Sequence, residues 1–164
     1  MSIIKLNGYD LSLEDLIKVC RYGHKVELTE KAIERIKTAR AIVDDLVENE
    51  KVSYGITTGF GKFSDVVISK KDTRQLQINL IRSHACGVGD PLSEEIVRAM
   101  MLLRINALSK GYSGVRLETL QVLIDMLNKG VHPIVPEKGS LGSSGDLAPL
   151  SHMVLTMLGE GEAI

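Results

Sequence analysis

The chain has 164 residues, 44% hydrophobic and 25% charged, with a formal charge of −1 and only 4% aromatics. This is globular composition on the scale of a single domain of ~150 residues, and its near-neutral charge and lack of tryptophan exclude the usual signatures of nucleic-acid and anionic-membrane binding. The opening MSIIKLNGYDLSLEDL has no basic segment leading into an apolar run, and no stretch reaches the ~20 apolar residues of a spanning helix, so a cytoplasmic protein with no membrane partner is expected.

In chain order, Ile3 to Leu11 predicts a short β-hairpin, because Asn7-Gly8 suits a type I′ turn. Ser12 with Asp15 resembles a capping box, and Leu13, Leu16, Ile17 and Cys20 predict a short helix closed by Gly23. Thr29 caps a longer helix, with Ala32, Ile33, Ile36, Ala39, Val43, Leu46 and Val47 at helical spacing. The stretch YGITTGFG (54–61) has three glycines and no periodicity, so it reads as an irregular loop. Helices follow over 71–85, with Leu76, Leu80 and His84 on one face, and from Pro91 and Ser93 to Gly111, carrying Ile96, Met100, Leu103, Ala107 and Leu108. Val115 to Lys129 predicts another, closed by Gly130. Pro133 and Pro136 then mark an extended linker. A last helix is expected over 147–158, with Leu147, Leu150, Val154, Met157 and Leu158 in one stripe. Cys20 and Cys86 lack a ligand cluster and predict two reduced, buried thiols rather than a disulfide framework or a zinc site.

The stretch GSLGSSGDLAPLSHM (139–153) crowds three glycines and three serines ahead of that last helix. A Gly/Ser loop before a helix is most often a connector. Anion binding at the helix start is a second reading, but the glycine spacing fits neither GxGxxG nor a P-loop, and Asp146 would repel phosphate. A third reading is a backbone condensation. The Gly145 nitrogen attacks the Ser143 carbonyl carbon, and loss of two waters leaves Ser144 as an exocyclic methylidene. The attacking nitrogen suits glycine, which adopts the compressed backbone most easily. The middle residue needs a β-hydroxyl to eliminate, and Asp146 stands where it can relay protons. The helix start beyond can stabilise developing negative charge.

Four blocks, YGITTGFG (54–61), SHACGVGDP (83–91), LRINALSKGYSGVR (103–116) and GSLGSSGDLAPLSH (139–152), resemble in order those of the ammonia-lyases that use a methylidene-imidazolone (MIO) group, and in particular their histidine type. The resemblance implies a mainly α fold with long active-site loops. It also implies the electrophile MIO (4-methylidene-imidazol-5-one) built from Ser143, Ser144 and Gly145, with no metal or nucleotide. Tyr54 matches the tyrosine that removes a proton from the substrate β-carbon. A phenol is a weak base at neutral pH, so that role asks its surroundings to favour the phenolate. Ser83-His84 matches the substrate-selecting pair; phenylalanine and tyrosine enzymes carry Phe-Leu or His-Leu there. An imidazole can hydrogen-bond the imidazole of L-histidine.

Two positions depart from the family pattern. Ser143 stands where alanine is common, and Thr57 where asparagine is usual, so the contact of that asparagine is not carried over. Family members are roughly three times as long and form tetramers. The resemblance therefore implies the N-terminal portion of a lyase, with 1–110 as an N-terminal region and 111–164 beginning the helical core. A second tyrosine, a carboxylate-binding arginine and an acidic group are then expected beyond Ile164. Little catalysis is expected of this chain alone. Two alternatives stand beside a histidine lyase: an MIO lyase or aminomutase acting on phenylalanine or tyrosine, and an inactive assembly module. His24, His132 and His152 receive no role.

Overall fold

The computed structural model describes residues 2–164. In order, the elements are β1 (Ile3–Leu6), α1 (Leu13–Tyr22), β2 (Lys25–Leu28), α2 (Glu30–Glu48), α3 (Lys70–His84), β3 (Val88–Pro91), α4 (Glu94–Leu108), α5 (Leu117–Lys129), β4 (Pro136–Lys138) and α6 (Leu147–Leu155). Short 3-10 turns occupy Gly61–Phe63 and Thr156–Leu158. The fold is mainly helical, as expected. One apolar core joins β1, β2, α1, α2, α4, α5 and α6, and includes Leu6, Val26, Ile36, Met101, Leu120 and Met153.

The N-terminal hairpin is not formed. β1 instead pairs in parallel with β2, Ile3 opposite Lys25 and Leu6 opposite Leu28, with α1 as the crossover. Asn7 explains the difference: its side-chain oxygen accepts from the backbone N–H of Tyr9 and Asp10 at 2.8 and 3.1 Å. That Asx-type turn aims the chain into α1 rather than back along β1.

The expected helix caps are present. The Ser12 hydroxyl accepts from Asp15 N, and the Thr29 hydroxyl from Ala32 N. Gly23 and Gly130 end α1 and α5 in the left-handed conformation. Within α1, however, the core takes Val19 and Cys20, while Leu13 and Ile17 are exposed. In α4 the buried stripe is Val97, Arg98, Met101, Leu102 and Ile105, not the expected Ile96, Met100 and Leu103. This helix is apolar nearly all round, so spacing alone cannot choose its inner face. The chosen stripe meets both α1 and α5.

The proline-rich linker is extended but also paired. Antiparallel β3 and β4 set Val88 opposite Lys138 and Pro91 opposite Pro136, with an irregularity between. The tail joins the same region, since His132 and Ile164 exchange two backbone bonds of 2.8 Å. The last helix is shorter than expected, turning 3-10 at Thr156. Cys20 is buried, but Cys86 is exposed, because it lies in the turn between α3 and β3 rather than on a packed face.

Candidate active site

Strand pairing assembles the site. β3 begins four residues after His84, and β4 ends just before Gly139, so their pairing brings the stretch that follows Ser83-His84 against the stretch that leads into the loop of Ser143, Ser144 and Gly145. The approach is close: a Cβ on Gly139 would lie 2.9 Å from Gly87 Cα, too near for any side chain. α3 packs on α6, which holds the same two segments together from below.

The loop is exposed and little bonded. Residues 143–145 form a bend, all three are exposed, and neither serine hydroxyl has a hydrogen-bond partner among the described residues. Gly145 has φ +105°, a conformation that L side chains rarely adopt, although open space surrounds its Cα. The glycine is therefore demanded by its dihedral angle, not by crowding, as the attacking-nitrogen role requires. Asp146 occupies the N-cap of α6 but does not cap it; its carboxylate accepts a hydrogen bond from the Ser140 hydroxyl. That bond ties the two ends of the loop and leaves the first amides of α6 open. Ser143, Ser144 and Gly145 thus fit an MIO group.

At the end of α3, the Ser83 hydroxyl donates to Leu80 O at 2.9 Å and lies 3.0 Å from His84 Nδ1. His84 Nδ1 is 2.8 Å from the same carbonyl. With Nδ1–H committed to the backbone, Nε2 is the free ring atom, able to accept from a ligand N–H.

A cavity of about 530 Å³ opens beside the loop, lined by Met100, Leu103, Arg104, Glu137, Ser140 and Asp146 among others. The outward stripe of α4 thus forms one wall of the cleft that also reaches Asp146.

Tyr54 stands apart. The residue is 64% exposed, and its ring packs T-shaped against Phe60 with centroids 5.9 Å apart. Its hydroxyl accepts from Gly61 N–H at 3.4 Å, and no hydrogen bond joins it to Ser83, His84 or 139–146 among the described residues. The 54–61 loop is held by its own contacts. Thr57 is buried; its hydroxyl donates to Lys51 O at 2.6 Å and accepts from Ser53 N at 2.8 Å. Thr57 therefore locks the loop, its hydroxyl engaged both as donor and as acceptor.

Two histidines without an assigned role prove structural. His152 Nε2, on α6, accepts the Gly87 amide at 2.9 Å. His132 Nε2 lies 2.8 Å from Arg98 Nη1, which donates to it. Burial lowers the pKa of both rings; at His132 the Glu94 carboxylate, 3.5 Å away, opposes this while Arg98 reinforces it. Burial prevails, so His132 and Glu94 form a neutral-ring contact rather than an ion pair. Since each ring is easier to protonate unfolded than folded, this stability is fully present above pH ~6.5 and is lost as pH falls below it towards the depressed folded values. Thermal unfolding should show Tm falling by several degrees between about pH 6.5 and 5. A His132→Gln/His152→Gln double variant should show a shallower slope; an equal slope would remove both rings from the account.

A family model described as aromatic amino acid lyase matches residues 11–164. The histidine ammonia-lyase of Alkaliphilus oremlandii is 67% identical over all 164 residues, which cover 32% of that protein. Among solved structures, ergothionase from Treponema denticola superposes with TM-score 0.94 at 36% identity, over 99% of this chain and 32% of that one. Histidine ammonia-lyase from Trypanosoma cruzi gives 0.91 at 42% identity, over 99% and 31%. The chain therefore spans about a third of the length of the relatives it matches. The matched span takes in the paired segments around Gly87 and Gly139 and the strained Gly145, and by it this chain belongs to the aromatic amino acid lyase family.

Proposed function

We propose that this chain is the N-terminal third of a histidine ammonia-lyase, working with a C-terminal remainder as one polypeptide or as a split subunit. The reaction is L-histidine to trans-urocanate and ammonia: the Cβ–H and Cα–N bonds break, a Cα=Cβ double bond forms, and the amine leaves with a proton. The observation that carries this reading is the pairing of β3 with β4 and the close approach of Gly139 to Gly87, which bring the chain just after Ser83-His84 against the chain just before the Ser143-Ser144-Gly145 loop. Once formed, an MIO group supplies an electrophilic carbon that makes the substrate amine a better leaving group. His84 Nε2 accepts from the substrate imidazole N–H, and Asp146 handles protons at the loop. By the family resemblance Tyr54 takes the β-proton.

The decisive experiment adds L-histidine and L-phenylalanine separately to the assembled enzyme and follows urocanate and cinnamate absorbance. Urocanate alone supports the reading; cinnamate alone favours a phenylalanine lyase, and neither product favours an inactive assembly module. In the same assay Tyr54→Phe should lower kcat by about a hundredfold or more, the scale of a lost general base. A loss under threefold would relieve Tyr54 of that role.

Exposed Ile96 and Leu103 on α4 and Val122 on α5 support association with the remainder or with further copies, in keeping with a tetrameric family. Sedimentation should show oligomers or a heteromeric complex. A monodisperse monomer that binds no hydrophobic dye would count against it.

A further inference from the structure

We infer that His152 is a positioning residue: by accepting the Gly87 amide proton, its Nε2 fixes the Ser83-His84 segment relative to the Ser143-Ser144-Gly145 loop. The inference rests on the histidine-lyase reading of that site for its catalytic consequence, but its geometric content stands on the contacts themselves. His152 lies on α6, seven residues past Gly145, and Gly87 lies three residues past His84, so the bond joins the chain just after one functional segment to the helix just after the other. Gly87 is pressed from two sides. A Cβ there would sit 3.1 Å from His152 Nε2 and 3.2 Å from Lys138 O, while Gly139 presses on its Cα. The chain leaving α3, the strand entering the loop and the helix leaving the loop all meet at this one residue.

A backbone amide is a donor only, so Nε2 can hold it only when unprotonated, with the ring proton on Nδ1. Burial, which favours the neutral ring, keeps it in that state. Among the described side chains, the charged or titratable groups on the elements packed against α6 are Asp72, Arg74, Arg82 and His84 on α3 and Glu137 and Lys138 on β4, with Glu160 following the helix. Arg82 is paired with Glu160 and Lys138 with Glu137, and none of these groups contributes to the His152 shift. Leucine at 152 would keep the apolar contacts and lose the acceptor; glutamine would supply one through its side-chain oxygen.

The test is the hydrogen-exchange protection of the Gly87 amide in this chain, wild type against His152→Leu and His152→Gln. Protection should fall about tenfold or more in His152→Leu and stay within about threefold in His152→Gln. In wild type it should weaken as pH drops below ~6.5, and in His152→Gln it should not. Unchanged protection in His152→Leu, equal loss in both variants, or the same pH profile in wild type and His152→Gln each overturns the inference. Should His152→Leu not fold, the His152→Gln pH profile alone decides. In the assembled lyase His152→Leu should raise KM for L-histidine at least about fivefold with kcat nearly unchanged, and His152→Gln should restore it. An enzyme that turns over a different amino acid sinks the histidine reading while leaving the Gly87 result to judge the positioning role.

Discussion

Ser144→Ala is expected to leave the assembled enzyme folded and at least about a thousandfold slower, because it deletes the covalent electrophile and not merely a contact. Alanine has no β-hydroxyl, so the second dehydration that yields the methylidene carbon cannot occur. The neighbouring serine provides the control. Ser143 contributes only its carbonyl carbon to ring closure, so Ser143→Ala should retain the loss of two waters and most of the activity. The structure supports this register through Gly145, whose φ of +105° belongs to the residue whose nitrogen must turn back on the carbonyl two positions earlier. Its exposed, unbonded neighbours leave the bend free to compress. Intact mass of the mature protein, localised to the peptide spanning 143–145, reads the outcome independently of turnover. A mature, active wild type that retains an ordinary serine at 144, or a pattern in which Ser143→Ala loses the dehydration and Ser144→Ala keeps it, would end this assignment. Little fold destabilisation is expected, since both serines are exposed and unbonded.

What was legible in the sequence was local. Ser12, Thr29 and Gly130 announce helix ends because a cap is made within three or four residues of itself, and all three act where expected. The 139–146 loop is equally local: its glycines and serines predict an irregular segment, and 143–145 form a bend. What failed depended on partners far along the chain. Asn7-Gly8 carries a hairpin signal, yet β1 found its neighbour some twenty residues on, across α1. The inner face of α4 was set by two other helices, not by its own nearly uniform apolar surface. His152 and His132 looked like ordinary polar residues because their partners, Gly87 and Arg98, are 65 and 34 positions away. Thr57 is the local exception: its partners lie within six residues, but the departure from asparagine says nothing of the loop lock that its hydroxyl makes.

Arg98→Met is expected to cost about 2–5 kcal/mol of stability, the scale of two or three buried acceptors left unpaired, against the ~5–15 kcal/mol of an ordinary domain. The reason lies in how two helices end. At the end of α1 the amides of Gly23 and His24 both donate to Lys18 O. At the end of α5 those of Gly130 and Val131 both donate to Met126 O. In each case the next carbonyl, Val19 O or Leu127 O, is left without its helical donor. The buried Arg98 guanidinium reaches both: Nη2 and Nε lie 2.7 and 3.2 Å from Val19 O, and Nη1 lies 3.5 Å from Leu127 O. The same Nη1 donates to His132. The negative ends of two helix dipoles thus surround the cation, which compensates much of its desolvation without a carboxylate bonded to it. Methionine fills similar volume but donates nothing, so the acceptors remain buried and unpaired. Lysine carries the charge but not the planar fork, and should recover only part of the loss. Urea unfolding should show a lower midpoint with an unchanged slope. Burial is the main cause that holds the His132 pKa down and Arg98 a smaller one, so its removal should ease that depression only slightly and leave most of the stability loss below pH ~6.5 in place. A midpoint within error of wild type would mean that water or backbone shifts satisfy both helix ends, and the guanidinium would then be a passenger in the core.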